Sequence, residues 1–160
     1  MLIVSAQYDL ERFVSAQDPI YRNVVDELRA GRKTSHWMWF IFPQIKGLGS
    51  SPTAQSYAIE SRDEAEAYLQ HKILGARLIE CTQLVLASRG VGVDEIFGYP
   101  DNLKFHSSMT LFSVAAPATE PPWDVFDRAL EAHFGGRKDE ATLKRLTEPA
   151  PHKSAVVAQG

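Results

Sequence analysis

The sequence predicts an all-α protein, a compact multi-helical single domain of short helices with a flexible C-terminal tail. Three observations lead there. Apolar residues recur at helical spacing between turn signals. Several segments open on a capping residue or a proline and close on glycine. No run of alternating strand residues bounded by turn signals competes with them. At 160 residues the chain can bury a core that needs no staple or metal. One helical domain over residues 8–146 and a tail over residues 147–160 therefore describe it.

The elements follow in order. Asp9 is placed to cap a first helix carrying Leu10, Phe13 and Val14. Asp18-Pro19 supplies a cap and then a proline at the first helical position. Ile20, Val24 and Leu28 form one stripe up to Ala30, and Gly31 ends it. Ser35 is a cap for a tryptophan segment that Pro43 limits to about two turns. Read as a strand, Trp37, Trp39 and Ile41 would share a face, but the helical neighbours favour helix. Gly47 to Pro52 is a loop, and Pro52 opens a helix through Ile59. Ser61-Arg62-Asp63-Glu64 has the spacing of a capping box, with Ser61 bonding forward and Glu64 reaching back. A longer helix with Leu78, Leu84 and Val85 runs from Gly75 to Ser88, before Gly90-Val91-Gly92 breaks it. Asp101 caps a helix through Ala115 that turns Met109 and Phe112 inward. After a linker from Pro117 to Pro122, Trp123, Phe126 and Leu130 stripe a helix closed by Gly135-Gly136. Leu143 and Leu146 end the ordered part.

Composition narrows the function classes. A net charge of -3 and a pI near 5.9 argue against a general nucleic-acid binder, while leaving room for a local basic patch. Cys81 is alone and the five histidines show no ligand spacing, so no disulfide, metal site or cofactor is expected. The N-terminus lacks the basic start of a signal peptide, and no apolar run approaches the roughly 18 residues that span a bilayer. A soluble, cytoplasmic protein with no membrane partner is expected. The oligomeric state has no signature in the sequence.

The most informative stretch is Lys33 to Gln44. Two of the three tryptophans lie in six consecutive apolar residues, Trp37 to Phe42, a run that would aggregate if exposed and so belongs in the core. Polar residues stand at both mouths: Lys33, Ser35 and His36 before it, Gln44 after it. His36 is either a core histidine bonded to a carbonyl or a general acid/base, since its unperturbed pKa of about 6.5 is near neutrality. Farther on, Lys104, Ser107 and Ser108 share one helix face and could hold an anion. Ser107 as a nucleophile is the weaker reading, because the Ser-x-x-Lys order is reversed and no nucleophile elbow is present. Helical serines usually bond back to the preceding turn. Gly47-Leu48-Gly49-Ser50-Ser51 has the glycines of a phosphate loop without the Walker spacing, so a plain helix connection is the better reading. Arg29, Arg32, Lys33 and Lys46 form a candidate basic patch.

These strings carry a resemblance. Tyr8 to Val14, Leu28 to Lys33, Ser35 to Gln44, Gly47 to Ser51, Asp63-Glu64-Ala65, Asp101 to Lys104 and Ser107 to Phe112 are similar to an uncharacterised bacterial family, the domain of unknown function numbered eighteen-ten. It is sometimes loosely labelled calpastatin-like. The resemblance covers Tyr8 to Leu146. It implies a multi-helical, all-α domain and no particular activity. A calpastatin-type inhibitor would be disordered and repetitive, and this chain is neither.

The expected function is a small soluble binding protein for an anionic small molecule, with nucleotide-like ligands among the candidates, in a pocket beside the aromatic segment. The expected ligand-binding residues are Lys33, Ser35, His36, Trp39, Gln44, Lys104, Ser107 and Ser108, with Trp37 or Trp39 as a stacking surface. A protein–protein interaction module ranks second. A small enzyme with His36 as general acid/base and Lys104 or Ser107 as its partner ranks third. The binding reading requires the two signature segments to meet in space, and Asp101 is the internal carboxylate that could neutralise Lys104 from one turn away.

Overall fold

The computed structural model describes residues 8–147. Of the expected tail, Thr147 closes the last helix, and residues 148–160 lie outside the described part. Ten helices form among the described residues: α1 Glu11–Gln17, α2 Tyr21–Arg29, α3 Met38–Ile41, α4 Pro52–Ser56, α5 Arg62–Gln70, α6 Lys72–Ala87, α7 Val93–Phe97, α8 Asp101–Ala115, α9 Val125–Phe134 and α10 Glu140–Thr147. The protein is all-α as the sequence predicts; a lone parallel bridge between Ile45 and Ile59 is the extended pairing among these residues.

Two long helices organise the rest. Helix α8 packs against α5, α7, α9 and α10, while α6 packs against α1, α2, α5 and α9. Helix α8 is enclosed by its neighbours from Phe105 onward: it buries Phe105, Met109, Leu111, Phe112 and Ala115 together with the small polar residues Ser107, Ser108 and Thr110. Helix α2 is the opposite case: Val24 and Leu28 are buried, and most of its other residues are polar and outward. Aromatic rings join the layers. Phe13 meets Tyr68 at 5.1 Å, and Tyr68 meets Phe112 at 5.3 Å. Phe42, just after α3, meets Phe97 of α7 at 5.8 Å and Phe105 of α8 at 5.0 Å. The tryptophan segment is thereby clamped to α7 and α8.

Several helix ends differ from expectation for identifiable reasons. Asp9 does not cap α1, which starts from Leu10 without a side-chain cap. Asp18 ends α1 and pairs with Arg77 at 2.9 Å, so α2 begins at Tyr21. Ser35 leaves α3 uncapped because its hydroxyl bonds to Glu27, and α3 is a single turn. Asp101 is the first residue of α8 after Pro100 and makes no capping bond. Helix α4 stops at Ser56, and Ile59 instead pairs with Ile45. Helix α7 has no counterpart in the sequence reading; Glu95 starts it by accepting a bond from the Gly92 N–H at 3.1 Å. Ser61 caps α5 by accepting from the Glu64 N–H at 3.2 Å, but Glu64 reaches back to the Glu60 N–H at 2.7 Å, one residue beyond the capping-box position.

One residue, His71, separates α5 from α6, and its Nδ1 accepts from the N–H groups of Ile73 and Leu74. The corner is so tight that a Cβ at Gly75 would lie 2.2 Å from the Leu69 carbonyl oxygen. Alanine for glycine in a helix interior ordinarily adds up to about 1 kcal/mol of stability. Here the sign reverses: Gly75→Ala is expected to destabilise by about 1–3 kcal/mol, as overpacking against fixed backbone does. Urea titration measures it, and a variant as stable as the parent would show that the corner opens freely.

Cys81 sits on α6, fully buried. Burial, more than any other influence, pushes its thiol up to about 12, and Tyr21 lies 3.7 Å from its sulfur.

Candidate functional site

Gly31 (φ +75°) turns the chain out of α2, and the Lys33 N–H then donates to the Ile96 carbonyl at 2.7 Å, pinning this strand of loop to α7. The lysine side chain is thereby delivered to the start of α8. Its Nζ lies 2.7 Å from Asp101 Oδ2, while Lys104 Nζ lies 3.3 Å from Asp101 Oδ1. Two ammonium groups share one carboxylate, so the trio carries a net positive charge. Each ammonium also stands over an indole. Lys33 Nζ is 5.1 Å from the centroid of Trp37, and Lys104 Nζ is 5.1 Å from that of Trp39. Both distances fall within cation–π range. The two lysines are not equivalent to an incoming molecule: the Lys33 side chain is 8% exposed and that of Lys104 25%.

A residue the sequence reading missed holds this arrangement in place. Glu27 of α2 accepts from the N–H groups of Thr34 and Ser35 at 2.8 and 3.0 Å, from the Trp37 indole Nε1 at 2.9 Å, and from the Ser35 hydroxyl at 2.6 Å. Partial burial alone would raise its carboxyl. The bonds from Ser35, Thr34 and Trp37 win and bring it down to about 2. A signal was present: an acid in the last turn of a helix opposes the helix dipole and needs donors of its own.

Of the expected site residues, Lys33, Trp39 and Lys104 come together around Asp101. Trp39 and Gln44 line a recess beside α4 together with Ile45, Gly49 and Tyr57, with room of about 10 Å³, enough for one water. That is no metabolite cavity. Ser35 is turned to Glu27. His36 is exposed, and among the described residues no hydrogen bond involves its ring. Ser107 donates to the Leu103 carbonyl at 3.2 Å and to Asp139 Oδ2 at 2.9 Å, a contact that ties α8 to the start of α10. Ser108 is fully buried, and its hydroxyl has no partner among the described residues. The glycine stretch 47–51 ends at Ser51, which caps α4 by accepting from the Ala54 N–H at 3.1 Å. A wider groove of about 510 Å³ lies elsewhere, between α6 and α9, and is lined by Asp124, Asp127 and Glu131 with Arg128. Its charge is the wrong sign for an anion. No described helix is long and apolar enough to cross a membrane.

Comparison with known proteins agrees with this architecture. The family model described as "Protein of unknown function (DUF1810)" matches residues 7–146. The crystal structure of the conserved hypothetical protein Rv1873 from Mycobacterium tuberculosis is similar at a TM-score of 0.84 and 53% sequence identity, over 89% of this chain and 99% of that one. No curated protein matches the chain.

Proposed function

Because this chain belongs to the DUF1810 family, whose description assigns no function, its role has to come from its own site, and we propose that it is a binding protein for a small anionic molecule. One observation carries the reading: two ammonium groups from distant segments share a single carboxylate beside two indole rings. A sheltered cation needs a counter-charge. Asp101 neutralises one of the two. Lys104, the more accessible, is left to meet an external anion, with Trp39 beside it as a surface for a planar group such as a base. The small recess at Trp39 means that the ligand lies across the surface rather than inside a cavity. The cytoplasmic setting expected from the sequence belongs to this proposal.

Thermal melting with inorganic phosphate and with adenosine monophosphate tests it, against chloride at matched ionic strength. A ligand at about 100 times its Kd adds about 2.7 kcal/mol, which raises Tm by several degrees in a domain of this size. Lys104→Ala should remove that rise while leaving the unliganded Tm and the helical circular dichroism close to the parent. The absence of any rise beyond the chloride control would refute the anion reading. The interaction-module reading has its own support, since Tyr99, in the turn before α8, is 82% exposed and Leu103, in the first turn of α8, 51% exposed. Replacing both with serine should leave the anion-dependent rise intact if the two surfaces are independent.

A further inference from the structure

We infer that the site takes a dianionic phosphate monoester in preference to monoanionic carboxylates, and that Asp101 sets how tightly it holds either. The inference rests on the anion-binding reading above. Lys33, Asp101 and Lys104 form a closed trio in which Asp101 bonds the sheltered Lys33 at 2.7 Å and the more open Lys104 at 3.3 Å. An anion that reaches Lys104 therefore arrives within a few ångströms of the Asp101 oxygens. Repulsion from Asp101 offsets the attraction of Lys33, and the anion experiences a net charge of one.

A carboxylate meets the site as one negative charge against one positive. A phosphate monoester, with close to two charges above its second pKa of about 6, meets it with twice the attraction. At these separations and at a dielectric between that of protein surface and water, one extra unit in the charge product is worth about tenfold in affinity. A carboxylate also resembles what Asp101 already supplies, and it must compete with a tethered copy of itself at high effective concentration. Asp101 thus weakens every anion at the site, and the preference for phosphate comes from the extra charge on the ligand itself.

Phenyl phosphate and benzoate are matched probes: the same ring with a dianionic or a monoanionic head. Binding is read from the indole N–H signals of Trp37 and Trp39 in a two-dimensional nitrogen–proton NMR titration, at about pH 7.5, where the phosphate monoester is a dianion. Trp39→Phe identifies the Trp39 signal among the three indoles. In the parent protein phenyl phosphate should bind about tenfold more tightly than benzoate. Asp101→Asn should bring benzoate up about tenfold, to the affinity that phenyl phosphate has for the parent, and should raise phenyl phosphate about a hundredfold, so that the preference widens. Asp101→Asn leaves Lys33 sheltered and without its counter-ion, so a second variant guards against misfolding. Lys33→Met combined with Asp101→Asn removes both charges of the inner pair and restores a net charge of one, and it should return both affinities to parental values. If phenyl phosphate binds the parent no more tightly than benzoate, or if Asp101→Asn leaves both affinities unchanged or lower, the inference falls alone. If neither probe moves the Trp39 signal in the parent or in either variant, the anion-binding reading falls, and this inference with it.

Discussion

Trp37→Ala is expected to lower the unfolding free energy by about 3–5 kcal/mol, the range for truncating a large buried aromatic. The ring is among the largest fully buried side chains of the domain and packs 6.3 Å from Phe42, which in turn rests on Phe97 and Phe105. Truncation empties that site and also removes the indole donor from Glu27. Trp37→Phe separates the two effects, because it keeps a ring and loses the N–H. Glu27 sits at about 2 in the folded protein against an ordinary 4.5, so the stability it contributes is complete above pH 4.5 and is lost as pH falls toward 2. The Glu27-dependent part of the difference between parent and Trp37→Phe should therefore shrink across that window. Urea titrations at about pH 6 and about pH 3 check it. A Trp37→Ala variant as stable as the parent would mean that the ring serves a surface rather than the core.

Arg12→Ala should have an effect of similar size. The Glu64 side chain is 2% exposed, and the Arg12 guanidinium lies 3.1 Å from its Oε2. Arg12 also donates to the carbonyls of Asp9, Ser56 and Ala58, fastening the loop after α4 to α1, and it lies 4.4 Å from the centroid of Phe13. Removing one partner of a buried pair strands the other charge, at about 3–5 kcal/mol. Arg12→Met with Glu64→Gln should recover part of that loss, because no bare carboxylate remains buried. Chemical denaturation of the three variants provides the comparison. A single-variant loss under about 1 kcal/mol would show that water reaches Glu64 and takes over from the guanidinium.

What was legible in the sequence was local. Gly31 and Gly135 end helices where expected, both with positive φ, because the requirement for a left-handed residue is written at one position. Ser61 caps α5 because donor and acceptor lie three residues apart. The three aspartates expected to cap failed for a different reason. Asp18 and Asp101 have stronger partners in Arg77 and in the two lysines, and a side chain that pairs across the fold is not free to cap its own helix. Asp9 yields to Leu10, which starts α1 without a side-chain cap. The expectation that the two signature segments meet rested on charge, and the lysines of both do reach Asp101. The extent of the site did not follow from the same pattern. Ser35 and Ser107 each have an acid, Glu27 and Asp139, that no spacing rule connects to an anion site. The Arg12–Glu64 pair is separated by 52 positions, and pairing at that distance is settled by packing, which one sequence does not display.

The surroundings of Cys81 carry a consequence for the protein's chemistry in its setting. Nucleophilic sulfur chemistry needs a thiolate and access, and α6 denies both: the sulfur is buried against Tyr21, and its proton is held far above neutral pH. Glutathione disulfide and other thiol-directed reagents find no accessible thiol while the helices stay together. Thiol–disulfide exchange therefore passes the folded domain by, and the single sulfhydryl of the sequence belongs to the packing rather than to the chemistry of the protein.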